Sequence, residues 1–158
     1  MMVQMARHIR PLDRADLPAI RTLASAAEAE GFQFVARWQA ELDAAHEQFQ
    51  TPTTCFLGVA LHGRLVAIGG VTPDPYSADE RVGRLRHLYV SGEVRLQGIG
   101  RILVRALESW AQGVYTLLRL RTDTSAAAHF YEHLGYHCVE DGHATHARML
   151  VDTTARAT

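Results

Sequence analysis

Arg95-Leu-Gln-Gly-Ile-Gly-Arg101 is the stretch of this chain best suited to holding an anion. It lies between a strand-like run, Leu85-Arg-His-Leu-Tyr-Val90, and a helical pattern that sets Ile99, Ile102, Leu103, Ala106, Leu107 and Trp110 on one face. A strand that turns through glycines into a helix aims unpaired N–H groups and the positive end of the helix dipole at one point. Phosphate matches both features. Gly98 and Gly100 let the backbone approach a ligand with no Cβ in the way, and Arg95 and Arg101 flank it with cationic forks. Two well-known phosphate loops do not fit. The chain holds no G-x-x-x-x-G-K-[ST]. Gly98-Ile-Gly-Arg-Ile-Leu103 lacks the third glycine of the dinucleotide fingerprint, and Leu117 to Arg121 offers no acid for a ribose.

The histidines form the other chemical candidate. His129-Phe-Tyr-Glu-His133 fits the H-x-x-E-H pattern of one class of zinc peptidases, and histidines four apart on a helix can share a metal. No downstream acid on a second helix completes such a site, and Phe130, Tyr131 and Leu134 explain the segment as a packed helix. No metal is expected. His143 and His146 read as outward residues of the last strand, while His8, His46 and His62 carry no pattern. Cys55 and Cys138 sit in apolar, strand-like runs and read as buried free thiols, neither in a nucleophile setting. That usage points to a reducing, cytoplasmic compartment.

The elements that position these residues follow from periodicity. Met5 to Leu12 reads as a strand, and Asp13-Arg-Ala-Asp16 as a helix start with an acid three residues on. Leu17, Ile20, Ala24 and Ala27 share a helical face that Gly31 ends. Val35, Trp38, Leu42, Ala45 and Phe49 predict a second helix, broken at Thr51-Pro-Thr-Thr54. Cys55 to Leu61 and Leu65 to Val71 predict a hairpin around His62-Gly63-Arg64. A polar loop, Thr72 to Glu80, precedes a long strand, Val82 to Val90. After the glycine turn and its helix come a strand over Thr116 to Thr122 and a short helix over Ala126 to Leu134. Tyr136 to Glu140 and Ala144 to Val151 close the chain as an antiparallel pair. The order β-α-α-β-β-β-α-β-α-β-β implies one α/β domain with a mixed, mostly antiparallel sheet and one parallel crossover around the glycine turn.

Bulk properties narrow the classes. A chain of 158 residues suits one domain, and 47% hydrophobic with 21% charged residues is ordinary for a globular protein. The net charge of −1 gives no general attraction to polyanions, so nucleic acid is not an expected partner. No apolar run approaches a membrane span, and Met1 to Arg10 lacks the core of a signal peptide, so no membrane association is expected.

Two segments together resemble the GNAT (Gcn5-related) N-acetyltransferase superfamily. One is Leu88-Tyr-Val90 followed by Arg95-x-x-Gly98-x-Gly100, similar to the family's (Q/R)-x-x-G-x-(G/A). The other is Ala127-Ala-His-Phe-Tyr131-Glu-His-Leu-Gly135-Tyr136, similar to A-x-x-F-Y-x-x-x-G-(F/Y). The resemblance implies a GNAT domain over residues 6–151, with flexible tails at 1–5 and 152–158, and a parallel strand pair that splays into a slot. It further implies an acetyl-coenzyme A-dependent N-acetyltransferase, with acetyl-coenzyme A as co-substrate. Leu88, Tyr89 and Val90 would pair with the pantetheine arm, and Arg95, Gln97, Gly98, Ile99, Gly100, Arg101 and Ile102 would hold the pyrophosphate. Tyr131 maps to the tyrosine that acts as general acid toward the leaving thiolate. The acceptor would be a small-molecule or peptide amine, and the protein a monomer or homodimer. A non-catalytic acyl-coenzyme A sensor is the alternative.

Two departures stand out, and the first matters for chemistry. The family's glutamate on the strand before the loop is missing, where this chain reads Leu85-Arg86-His87, and Thr124 stands where an asparagine is frequent. An imidazole of pKa about 6.5 is free to accept a proton at neutral pH, so His87 is the candidate base, whereas Arg86 cannot be one. Asp74, Asp79 and Glu80 could instead attract a cationic acceptor. Strict alternation puts His87 and Tyr89 on one face and Arg86, Leu88 and Val90 on the other. A bulge would change that parity.

Overall fold

The computed structural model describes residues 7–32, 37 and 49–150. The second helix expected over 35–49 lies outside these, apart from Arg37 and Phe49, and so do the two expected tails. Strand β1 (Arg7–Pro11) leads to a 3-10 turn, Arg14–Asp16, and helix α1 (Leu17–Ala29). The expected helix start is present as a reciprocal capping box. Asp13 Oδ1 accepts from Ala15 N–H at 2.8 Å, and Asp16 Oδ2 accepts from Asp13 N–H at 2.9 Å. Arg10 grips the Asp16 carboxylate with both guanidinium nitrogens at 2.8 and 2.6 Å, which holds the Asp16 pKa below the usual carboxylate range.

The sheet continues with β2 (Gln50–Thr51), β3 (Thr54–Leu61), β4 (Arg64–Pro73) and β5 (Val82–Val90). Helix α2 (Ile99–Ala111), β6 (Leu117–Leu120) and helix α3 (Ser125–His133) follow, then β7 (His137–Asp141) and β8 (Ala144–Met149). Strand order is β1-β3-β4-β5-β6-β8-β7, with β2 against β3. Pairing is antiparallel throughout except for β5 with β6. The fold is the mixed, mostly antiparallel α/β sheet that the element order implies. The final hairpin inserts its second strand, β8, between β6 and β7, a placement that periodicity cannot supply.

Each face of the sheet carries its own core. On one, Ile99, Leu103, Val104 and Leu107 of α2 and Tyr131 of α3 pack with Leu85, Leu118 and Leu120. On the other, Ile20, Leu23, Ala24 and Ala27 of α1 pack with Phe56, Ile68 and Tyr89. The 3.6-residue spacing of the apolar positions in α1 and α2 is what sends those side chains to the sheet. Among the described residues, no helix is long and apolar enough to cross a membrane.

Two expectations are corrected by these packings. Cys138 is exposed, not buried, because β7 is an edge strand; Cys55 is buried as expected. Its burial pushes the thiol up to about 11, so it stays protonated and inert. His146 is buried rather than solvated, because its β8 position lies opposite Leu120, a core residue of β6, while His143 lies in the turn before β8.

Candidate active site

β5 pairs in parallel with β6 only over Val82–Arg84 against Leu117–Arg119. β5 then runs on to Val90 along β4 alone, with Ile68 opposite Tyr89 and Ala67 opposite Val90. Beyond Arg84 the edge facing β6 carries no strand among the described residues, so the backbone there is open to an extended ligand.

A bulge lies in this free half. The β4 register passes from Ile68↔Tyr89 to Gly70↔Arg86, which leaves His87 and Leu88 opposite Gly69, two residues against one. His87 takes the left-handed conformation, φ 57°, uncommon for a residue with a Cβ. The bulge brings Leu85 to the same core as Leu88 and Val90, although strict alternation would set Leu85 with His87 and Tyr89. His87 keeps company with the α1 side, its ring stacked on Phe56 at a centroid distance of 6.3 Å.

The glycine turn has the geometry of an anion cradle. Gly98 is the N-cap of α2 at φ 77°, and a Cβ there would meet nothing within 4 Å. The position needs glycine for its backbone angle and leaves open space above it. Gly98 supplies no side-chain cap. Ile102 N–H bonds Gly98 O at 3.1 Å, so the amides of Ile99, Gly100 and Arg101 precede the first intrahelical bond and point out of the helix end. Gly100 is packed closely instead: a Cβ there would lie 3.3 Å from the Phe130 ring, a tight contact, and 3.5 Å from Val90. That close contact sets α3 against α2. The neighbouring Leu96 has φ 65° and is fully exposed. Arg7 donates to Gln97 O at 3.1 Å and pins the loop to β1.

Arg95 does not stand beside the cradle as a free cation. Its NH2 bonds Glu30 Oε2 at 2.6 Å, its Nε bonds Val90 O at 3.1 Å, and its guanidinium lies over the Tyr89 ring, 5.6 Å from the centroid. Tyr89 also donates to Glu30 Oε2 at 2.8 Å. Burial first, and the Glu30 carboxylate second, push the Tyr89 hydroxyl up to about 12. Arg95, with its partner Glu30 at the C-cap of α1, is therefore a strut between the α1 terminus and the loop. Glu30 was invisible as a site residue in the sequence, because its partners lie far along the chain. Arg101 is exposed on the first turn of α2.

Tyr131 sits on the α2–α3 side, opposite to His87, with ring centroids 5.0 Å from Phe130 and 5.6 Å from Tyr136. Burial raises its pKa far above the ordinary tyrosine value, which keeps the hydroxyl protonated. Among the described residues nothing hydrogen-bonds that hydroxyl. Tyr136 anchors the same region: its hydroxyl bonds Glu108 Oε2 at 2.7 Å, and Arg148 and Arg105 reach Glu108 at 2.8 and 2.7 Å.

Asp74 is not available to attract an acceptor. Its carboxylate is fully buried, 3.6 Å from Arg84 NH1 and 3.2 Å from Arg119 Nε. Arg119 also meets Asp141 at 3.0 Å, and Arg84 donates to His143 O at 2.6 Å. Tyr76 stacks on His143 with centroids 4.0 Å apart. Asp79 is paired with Arg81 at 3.1 Å, and Glu80 is exposed. The loop after β4 is thereby fastened to the β7–β8 turn across the ends of β5 and β6.

Comparison with known proteins agrees with this architecture. Residues 20–136 match the model of the acetyltransferase (GNAT) family, and the chain belongs to that family. A solved structure from Exiguobacterium sp. 255-15, provisionally described as an acetyltransferase, shares 30% identity over 97% of each chain, with a TM-score of 0.77. The PaiA N-acetyltransferase of Thermoplasma acidophilum, solved with coenzyme A, shares 20% identity over 92% of this chain and 99% of its own, with a TM-score of 0.73. A GNAT acetyltransferase of Brucella melitensis, solved with acetyl-coenzyme A, shares 19% identity over 94% of this chain and 90% of its own, with a TM-score of 0.71. No match is found among curated proteins.

Proposed function

We propose that this chain is an acetyl-coenzyme A-dependent N-acetyltransferase in which an acceptor amine attacks the thioester directly. The observation that carries the reading is the conjunction of a strand edge freed beyond Arg84 with the uncapped α2 terminus at Gly98. A chain ending in a pyrophosphate needs both at once: a backbone edge for its amides and N–H groups for its phosphates. The residues present fit that co-substrate, since the space over Gly98 is open and the cradle amides precede the first helical bond. Leu88 to Val90 would take the pantetheine arm, and Gln97 to Ile102 the pyrophosphate, within the single domain expected over residues 6–151. Because the Val90 carbonyl already accepts from Arg95, its N–H and the neighbouring backbone carry the pairing.

Tyr131 serves as general acid. Expulsion of a thiolate whose conjugate acid has a pKa of about 8.5 is helped by a donor that is still protonated at neutral pH, and a tyrosine of pKa about 10 or higher is one. Its buried hydroxyl meets that condition. His87 serves as base for the ammonium of the acceptor, from the opposite face of the sheet. Neither cysteine is needed: Cys55 is buried and protonated, and direct attack requires no acyl-enzyme.

The test is release of free thiol from acetyl-coenzyme A against a panel of amines, amino acids and peptides. Wild-type turnover with at least one acceptor is expected, and Tyr131→Phe should lower kcat by about 100-fold with little change in KM. Tight coenzyme A binding without turnover on any amine would make the chain a sensor of the co-substrate instead. An unchanged kcat in Tyr131→Phe, with chemistry rate-limiting, would return that residue to the core.

A further inference from the structure

Away from the slot, three side chains from three elements converge on one point. Cys138 Sγ of β7 lies 3.6 Å from His146 Nε2 of β8 and 3.8 Å from Glu132 Oε1 of α3. Glu132 Oε2 lies 3.7 Å from the same His146 Nε2. The carboxylate thus turns one oxygen toward the thiol and the other toward the imidazole. His146 is 5% exposed, so its ring is held by packing. Its Nδ1 lies 2.9 Å from Thr145 Oγ1, and that hydroxyl accepts from Thr122 N–H at 3.0 Å.

We propose that Glu132, Cys138 and His146 form a zinc site with an open fourth position. The chemistry of the set fits: thiolate, imidazole and carboxylate are all zinc ligands, and the thiolate disfavours magnesium or calcium. So does the spacing. Zinc bonds of about 2.1 Å to nitrogen and 2.3 Å to sulfur, spanning the Cys–His gap, would enclose an angle of about 110°, which is tetrahedral. The Thr145 hydroxyl behind Nδ1 provides the outer contact that metal-bound histidines require for a fixed ring direction.

Two other accounts of the cluster explain less. A Glu–His ion pair would account for Glu132 and His146 but not for a thiol within 4 Å of both. A Cys–His–Glu nucleophile relay needs the acid on the far ring nitrogen from the thiol. Here the acid and the thiol share Nε2, and Thr145 occupies the far side. Converging donors are what a cation needs. The site is also separate from the H-x-x-E-H pattern, of which it uses Glu132 alone; His129 and His133 are exposed on α3. Bound zinc would tie the end of α3, one residue beyond Tyr131, to the closing hairpin.

The experiment titrates the full chain, reduced and stripped of metal, with Zn²⁺ followed by calorimetry and with Co²⁺ followed by absorption. One ion per chain is expected, with a thiolate-to-cobalt charge-transfer band and a higher Tm on zinc addition. Cys138→Ser, at an exposed position, should abolish the band and weaken zinc affinity at least tenfold, and Glu132→Gln should weaken it about tenfold. The double variant His129→Gln/His133→Gln should bind as the parent does. Absence of saturable binding would overturn the proposal. So would a band and affinity that survive Cys138→Ser, or an affinity lost in the His129/His133 variant, which would assign the ion to the helix alone.

Discussion

The two halves of β5 differ in what holds them. Val82–Arg84 is locked: β4 pairs with it on one side, β6 on the other, and Arg84 is clamped between Asp74 and the His143 carbonyl. Leu85–Val90 has β4 alone, a bulge, and a histidine in the left-handed region. Backbone strain is tolerated where surrounding structure over-determines it, and the locked half supplies that constraint at one end while the Arg95–Glu30 strut supplies it at the other. The parallel ladder thus ends early, and the edge of Leu85–Val90 that faces β6 is left without a strand among the described residues.

Three substitutions sharpen that contrast. Just beyond the open half, in the turn it leads to, the largest effect belongs to Gly98→Val, which sets a branched side chain at φ 77° in the space above the cradle. Coenzyme A affinity should fall by about 1,000-fold in calorimetry, roughly 4 kcal/mol, while circular dichroism stays that of the parent. Unchanged affinity would remove the pyrophosphate from this turn. In the locked half, Asp74→Asn leaves buried Arg84 and half-buried Arg119 with less compensating charge. Stability should drop by about 3 kcal/mol in urea unfolding, because burial already pulls the Arg84 pKa below its usual value. A variant as stable as the parent would show that the closed half does not depend on its ion network.

The smallest effect concerns the bulge itself. His87→Gln keeps polarity but removes basicity. If His87 accepts the acceptor's proton, kcat/KM should fall about tenfold, and the acidic limb of its pH profile should vanish or move. An acidic limb and rate equal to the parent's would pass the proton to a water chain. Because strain at φ 57° is shared by both residues, a change in Tm would report packing, and only the pH profile reports the base.

Local signals determined most of the architecture. The capping box at Asp13 and Asp16, the hairpin around His62-Gly63 and the glycine turn at Gly98 were legible because each depends on residues within a few positions of one another. Periodicity sorted α1, α2 and the long strand for the same reason. It misplaced His146 because burial there is set by β8 entering between β6 and β7, and that pairing partner is not written in the strand. The role of Arg95 went the same way: flanking glycines suggested a ligand, whereas Glu30, 65 positions earlier, takes its guanidinium.

The sequence by itself determined the glycine turn, the tyrosine helix and most strands of the described residues, missing only the two-residue β2, since helix periodicity, turn chemistry and glycine freedom act over short distances. Only the tertiary structure decided the bulge parity that brings Leu85 beside Leu88, the Asp74–Arg84–Arg119 ion cluster, and the meeting of Glu132, Cys138 and His146. Those depend on which strands become neighbours, and strand order is a property of the packed sheet rather than of any one segment.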